Sequence, residues 1–196
     1  MGWLLGVDTQ ILYFINGLHC PFLDAVMWQL SKPLVSLPVY AYFIYLLYKG
    51  EGKNLWRPLL AIALVVLLAD RISVECFKDV VCRLRPSHTP GVMENLHYHI
   101  KPNGDAYHGG MYGFVSSHAA NTFGVAVFIA LYARRKAVTA IALSWAVVVS
   151  ISRIYLGVHF PTDILAGAAL GALIGWLSYY GYQRLARKYG WGNFAK

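Results

Sequence analysis

Charge is what this chain has least of. Charged residues make up 13% of its 196 residues, and only nine are acidic, where soluble domains carry about 25% charged. So few charges exclude a soluble, surface-charged enzyme, and the 58% of hydrophobic residues excludes a disordered chain. Cysteine is scarce too. Cys20, Cys76 and Cys82 are an odd number with no C-x-x-C pair, which excludes a disulfide scaffold. Cys76 and Cys82 sit in a mainly apolar segment and are expected to fill core space. No basic residue precedes Lys32, and Asp8 interrupts the first apolar run, so the positive n-region of a cleaved signal peptide is missing.

What is present is apolar sequence cut by short basic turns. Uncharged runs lie at 33–48, 58–69, 119–133, 137–151 and 164–182, the last of 19 residues, close to the roughly 20 that a membrane span needs. They predict one all-α domain over 1–196, a polytopic membrane helical bundle. About five transmembrane helices are expected, or six if residues 20–32 add a half-helix. In segment 2–16, Leu4, Leu5, Ile11, Leu12, Phe14 and Ile15 surround Asp8, Thr9 and Gln10, the pattern of an interfacial helix.

The net charge of +8 belongs in such a chain to loop orientation and anionic lipid rather than to nucleic acid. Lys49, Lys53 and Arg57, then Arg134, Arg135 and Lys136, then Arg184, Arg187, Lys188 and Lys196 are ten of the 17 basic residues, with Glu51 their one acidic neighbour. The positive-inside rule puts these alternate loops in the cytoplasm. Segment 83–115 and the turn 153–163 then face outward. Gly167, Gly171 and Gly175 recur every fourth residue in the last helix and predict close approach of another helix.

Segment 87–115 is the one long polar loop. Its His88, His97, His99 and His108 have only Glu94 and Asp105 as acidic company and no H-x-x-x-H spacing. A solvated loop touching a lipid headgroup is expected there, and no metal site.

Titratable residues in membrane segments are a functional signal by default, and here they collect at one end of the bundle. Lys78 and Arg85 end the second span, Ser116, Ser117 and His118 open the third, Ser152 and Arg153 close the fourth, and His159 and Asp163 open the fifth. Alternation of the spans brings all four groups to the outer side. Three cations, Lys78, Arg85 and Arg153, suit a multi-oxygen anion. Ser116 stands where a helix N-cap would, and Pro161 marks a second helix start beside His159; such N-termini favour phosphate. His159 is read as a neutral nucleophile, with Asp163 accepting its other ring N–H. His118 is read as the acid that protonates the departing oxygen and then as the base that activates water. Singly, each of these residues reads as a cap, a packed histidine or a snorkelling cation; their order and common face point to phosphoryl transfer. Arg71, Glu75 and Lys78 fall on one helical face, so that Glu75 either steers Lys78 or only neutralises charge.

In this arrangement the sequence resembles the type 2 phosphatidic acid phosphatase family. Residues 78–86, with Lys78, Arg85 and Pro86, match its K-x6-R-P motif. Residues 152–163, with Ser152, Arg153, His159 and Asp163, match its S-R-x5-H-x3-D motif. Where the family has P-S-G-H, this chain has Val115, Ser116, Ser117 and His118, departing at two positions and making the phosphate loop bulkier. The resemblance implies metal-independent hydrolysis of a phosphomonoester or diphosphate through phosphohistidine, with no cofactor. It implies His159 as nucleophile, Asp163 as its partner and His118 as acid–base. Lys78, Arg85, Ser116 and Arg153 would be phosphate ligands, with the Ser117 backbone N–H added. Arg83, inside the first motif but not at a fixed position, is expected to be solvated.

The best guess is thus a phosphatase taking undecaprenyl diphosphate to the monophosphate. Phosphatidylglycerol phosphate, phosphatidate and lipid A phosphates are rival substrates, and a lipid-to-lipid phosphotransferase is a rival reaction. A non-catalytic transporter or lipid-binding subunit would need no ordered His-His-Asp set, and the soluble haloperoxidases that share these motifs do not fit the composition. The expected partners are the bilayer and a phosphate-headed membrane lipid, with no nucleic acid and no obligate protein. The expected place is the bacterial inner membrane, with the site facing the periplasm.

Overall fold

The structure, a computed structural model, describes residues 2–191. Lys196 of the basic tail and the side chains of Leu4 and Leu5 lie outside what is described. The chain forms α1 (Gly2–Asn16), α2 (Pro21–Leu30), α3 (Leu37–Glu51), α4 (Trp56–Arg71), α5 (Asp79–Val81), α6 (Ser117–Ala133), α7 (Lys136–Tyr155) and α8 (Pro161–Lys188). The five expected spans are α3, α4, α6, α7 and α8, and the molecule is an all-α membrane bundle. By length and composition α7 and α8 can each cross a bilayer, while α6 is shorter and apolar. Leu60, Leu64, Leu67, Leu165, Leu173 and Leu177 are exposed on the outer faces, where they would meet hydrocarbon rather than water.

Helix α6 is the axis of the bundle. It carries no charge and few large side chains, so partners pack around most of its circumference. On one side Val125, Ala126 and Ile129 meet Phe43 and Leu47 of α3 and Val138, Ala142 and Ala146 of α7. On another, Ala120 and Phe128 meet Val65 and Ala69 of α4 and Ile174, Tyr179 and Tyr182 of α8. The glycine stripe of α8 lies directly on the α6 backbone. A Cβ at Gly167, Gly171 or Gly175 would stand 2.5, 2.0 or 2.2 Å from the carbonyl oxygens of Ser116, Ala120 and Gly124, closer than any real contact, so only glycine permits this approach.

Local chemistry ends the helices where the site needs them to end. A π-helical segment, Ile72–Lys78, joins α4 to α5, and Cys82 closes the rod in the left-handed region at φ 51°. The extra residue per turn in a π segment changes the helical register. It separates Lys78 from the face expected for Arg71 and Glu75. Those two form an exposed ion pair at 2.8 Å, and Lys78 turns inward to Ser117 instead. Arg134, left-handed at φ 52°, ends α6 and gives the tight turn that sets α7 antiparallel to it. At that end Glu51 accepts hydrogen bonds from Tyr132 at 3.2 Å and Tyr182 at 2.6 Å, clamping α3, α6 and α8 together.

One further expectation is corrected. Cys76 and Cys82 are exposed rather than core-filling, because both lie on the outer surface of the α4–α5 rod. Segment 2–16 is helical as expected, and it also packs on the rest of the chain. The Gly6–Asn16 and Pro21–Leu30 helices meet at 115° as a bent pair. Asp8 and Asn16 of α1 are buried against the rest of the chain, and Asn16 Nδ2 donates to the carbonyls of His97 and Tyr155 at 2.8 Å each.

Candidate active site

Four helix ends and the loops joining them converge at one end of the bundle. Arg85 enters from the loop after α5, held by Nε donation to the Tyr112 carbonyl at 3.1 Å. Its Nη1 stands 3.1 Å from His159 Nε2 and 3.3 Å from the Val158 carbonyl it donates to. Lys78 Nζ donates to Ser117 Oγ at 2.6 Å, and Ser117 Oγ shares a second hydrogen bond, also 2.6 Å, with Ser73. The serine at 117 therefore does not thicken the phosphate loop as expected; its hydroxyl turns toward the π segment, where it meets Ser73 and holds Lys78. Ser116 caps α6, its hydroxyl accepting from the Ala119 N–H at 3.5 Å, so the first-turn N–H groups of Ser117 and His118 point out of the helix start.

Arg153 is buried near the end of α7. Its Nη2 donates to the Tyr107 hydroxyl at 2.9 Å, while its Nε is buried with no hydrogen-bond partner among the described residues. His159 is 1% exposed, in the short connection between α7 and α8. Its Nδ1 faces Asp163 Oδ2 at 3.5 Å and is buried without a hydrogen-bond partner among the described residues. Burial, and then the charges of Arg85, Arg153 and Lys78, hold the His159 imidazole well below its ordinary titration range. The ring is neutral at neutral pH, and its Nε2 lone pair accepts from Arg85 Nη1. His118 lies within electrostatic reach of Arg153, His159, Arg85 and Lys78. It also lines an apolar cavity of about 580 Å³ with Ser117, Asn121, Tyr40, Phe43 and Leu47.

The sequence-predicted residues Lys78, Arg85, Ser116, Ser117, His118, Arg153, His159 and Asp163 are thus brought together. Two other expectations change. Arg83 is not solvated: Nη1 pairs with Asp163 Oδ1 at 2.9 Å, Nη2 pairs with Asp8 Oδ2 at 2.7 Å, and the guanidinium covers the Phe160 ring at 4.3 Å. The start of α8 is not an open anion site either, because Asp8 Oδ1 accepts from the Thr162 N–H at 3.0 Å. Asp8, Arg83 and Tyr107 were missed. For Asp8 the sequence did hold a signal, a carboxylate interrupting an apolar helix, which needs a buried partner.

The outer loop leaves His108 exposed but half-buries His97 and His99. His97 stacks on His19 at 4.1 Å and faces Asp24 at 3.1 Å, and His99 stacks on Trp28 at 4.1 Å. These contacts bind loop 87–115 to the α1–α2 pair. Glycines let the same loop cross the site: a Cβ at Gly113 would stand 2.8 Å from Asp163 Oδ2.

The chain is similar to known proteins over most of its length. Over 179 residues the chain is 37% identical to the lipid A 4'-phosphatase of Bacteroides thetaiotaomicron, covering 91% of this chain and 78% of that one. It is 31% identical over 178 residues to the undecaprenyl-diphosphatase of Sulfolobus acidocaldarius, covering 89% and 78%. The crystal structure of a transmembrane PAP2-type phosphatidylglycerolphosphate phosphatase from Bacillus subtilis superposes with a TM-score of 0.73 at 26% identity, covering 95% of this chain and 90% of that one. Residues 54–187 match the PAP2 superfamily, and the chain belongs to it, as a membrane lipid phosphatase.

Proposed function

We propose that this phosphatase hydrolyses a lipid phosphate through a phosphohistidine at His159. The observation that carries the reading is a fully buried imidazole with Arg85 at Nε2 and the Asp163 carboxylate facing Nδ1, beside an apolar cavity that His118 lines. His159 Nε2 attacks phosphorus as Arg85 Nη1 passes from that nitrogen to a phosphate oxygen. Arg85, Lys78, Arg153 and the α6 N-terminus hold the equatorial oxygens as charge builds. The leaving oxygen departs on the side away from His159 and takes its proton from His118. His118, now neutral, removes a proton from water, which attacks phosphorus and returns His159 to its free state. Asp163 favours the imidazolium that forms when the N–P bond is made.

The lipid body belongs in the cavity that reaches His118, because the leaving group lies on that side. Its Tyr40, Phe43 and Leu47 walls suit an acyl or prenyl tail. As to headgroup, a phosphomonoester on a glycolipid of the lipid A type is the first reading, favoured by the 37% identical relative. Undecaprenyl diphosphate, the first choice from the sequence, is the second reading, favoured by the 31% identical relative. We place the protein in a bacterial inner membrane, with the site on the periplasmic side.

Phosphate release by purified protein, in EDTA, across lipid A, undecaprenyl diphosphate, phosphatidylglycerol phosphate and phosphatidate tests the proposal. Free phosphate is expected without an acceptor lipid, most rapidly from lipid A, and not at all from His159→Ala. Near-normal turnover by His159→Ala would remove the mechanism. Strict need for an added divalent metal would remove the metal-independent scheme, and release only with an acceptor would make the protein a phosphotransferase.

A further inference from the structure

Asp8 lies outside residues 54–187, the stretch that matches the family, yet it is built into the site. It is 3% exposed. Its Oδ2 pairs with Arg83 Nη2 at 2.7 Å, and its Oδ1 accepts from the Thr162 N–H at 3.0 Å. The Thr162 hydroxyl hydrogen-bonds to Asp8 Oδ2 as well, and accepts from Arg83 Nη1 at 2.6 Å. Arg83 Nη1 also reaches Asp163 Oδ1 at 2.9 Å. The second oxygen of Asp163 accepts from the Phe160 N–H at 3.0 Å and faces His159 Nδ1 at 3.5 Å. Asp163 thus divides its two oxygens, one to Arg83 and one to the histidine side.

We infer that Asp8 is a positioning residue for catalysis, acting through Arg83 on Asp163, so that the N-terminal helix is a working part of the site. The inference rests on the proposed role of His159 as nucleophile. Arg83 is a rigid fork with one arm for each carboxylate. With Asp8 in place, the guanidinium charge is shared and its plane is fixed on the Phe160 ring, so Arg83 takes only Oδ1 of Asp163. Without Asp8, the whole cation falls to Asp163, the nearest remaining carboxylate. The fork then competes with His159 for that carboxylate just when the ring becomes an imidazolium. Arg85 stands at the opposite ring nitrogen, Nε2, and Lys78 and Arg153 are held by Ser117 and Tyr107; none of these contacts involves Asp8 or Arg83, so the loss falls on the chemical step rather than on substrate binding.

The test uses the full chain, purified in detergent. Asp8→Asn is expected to lower kcat about ten-fold or more, with KM and the inhibition constant for inorganic phosphate held within about two-fold. Asp8→Glu, which keeps the charge, should recover most of the loss. In a double-mutant cycle with Arg83→Gln, the pair should be no worse than Arg83→Gln alone, since both act through one contact. Should Asp8→Asn not yield a monodisperse protein, Arg83→Lys carries the test, because it keeps a cation and loses one arm of the fork, and kcat should fall with phosphate inhibition unchanged. Unchanged kcat in the variant measured, or strictly additive losses in the cycle, would overturn the inference. Inactive His159→Ala beside fully active Asp8→Asn would sink the Asp8 role alone; active His159→Ala would sink the nucleophile reading first.

Discussion

At the scale of single residues, His159 carries the strongest pH consequence. Its ring is buried, and three cations surround it, so it stays neutral far below the ordinary imidazole range. In the unfolded chain it takes a proton near pH 6.5. The unfolded state therefore binds more protons as pH falls below that value, and stability is lost in that direction, not gained. Thermal unfolding in detergent should show a falling midpoint from about pH 6.5 downward, and His159→Phe should flatten that slope. A midpoint that rises on acidification would contradict a neutral buried ring. The residues that chemistry alone could nominate, the cations, serines, histidines and Asp163, were legible because their spacing matches the ends of successive spans. Arg83 was not, since solvation and a two-carboxylate pairing look identical until Asp8, 75 residues earlier, is folded against it. Tyr107 was hidden for the same reason, being one tyrosine in a polar loop until Arg153 meets it.

At the scale of elements, the two kinds of glycine in α8 separate packing from propensity. At Gly171 an added Cβ would stand 2.0 Å from the Ala120 carbonyl, so Gly171→Ala must push α8 off α6. Overpacking of this kind destabilises by about 1–3 kcal/mol. At Gly181 an added Cβ meets nothing within 4 Å, so Gly181→Ala should be neutral or should stabilise by about 0.5–1 kcal/mol. Thermal unfolding of the two variants in one detergent checks the contrast, and equal midpoints would mean that the α6–α8 seam is not held by its glycines. Activity should fall with Gly171→Ala as well, because α6 and α8 carry Ser116, His118 and Asp163. The seam was readable from a four-residue glycine period. The π segment was not, because Ile72–Lys78 carries no proline or glycine to mark it, and a regular α-helical register put Lys78 on the wrong face. Its inward turn accompanies the contact of Ser73, in the π segment, with Ser117 at the start of α6.

At the scale of the whole molecule, the ends of the bundle differ in chemistry, and that difference predicts sidedness. One end holds the turn at 134–136 and the basic tail of α8, with Glu51 sequestered by Tyr132 and Tyr182, so cationic side chains there go unbalanced. The other end holds Asp163, Arg85 and Lys78, whose charged groups face inward to Arg83, to His159 and to Ser117. Basic turns resist translocation, while a site made of inward-facing charges does not. The site end should therefore lie outside the cytoplasm, at headgroup depth, where a long-tailed lipid slides sideways into the bundle and only its phosphate leaves the bilayer plane. In a background of Cys20→Ser, Cys76→Ser and Cys82→Ser, exposed Asn103→Cys in the outer loop should react with an impermeant thiol reagent in intact spheroplasts. Exposed Arg135→Cys should react only after lysis. The opposite pattern would place the site in the cytoplasm and end the proposal that it acts on lipids whose phosphates face outward.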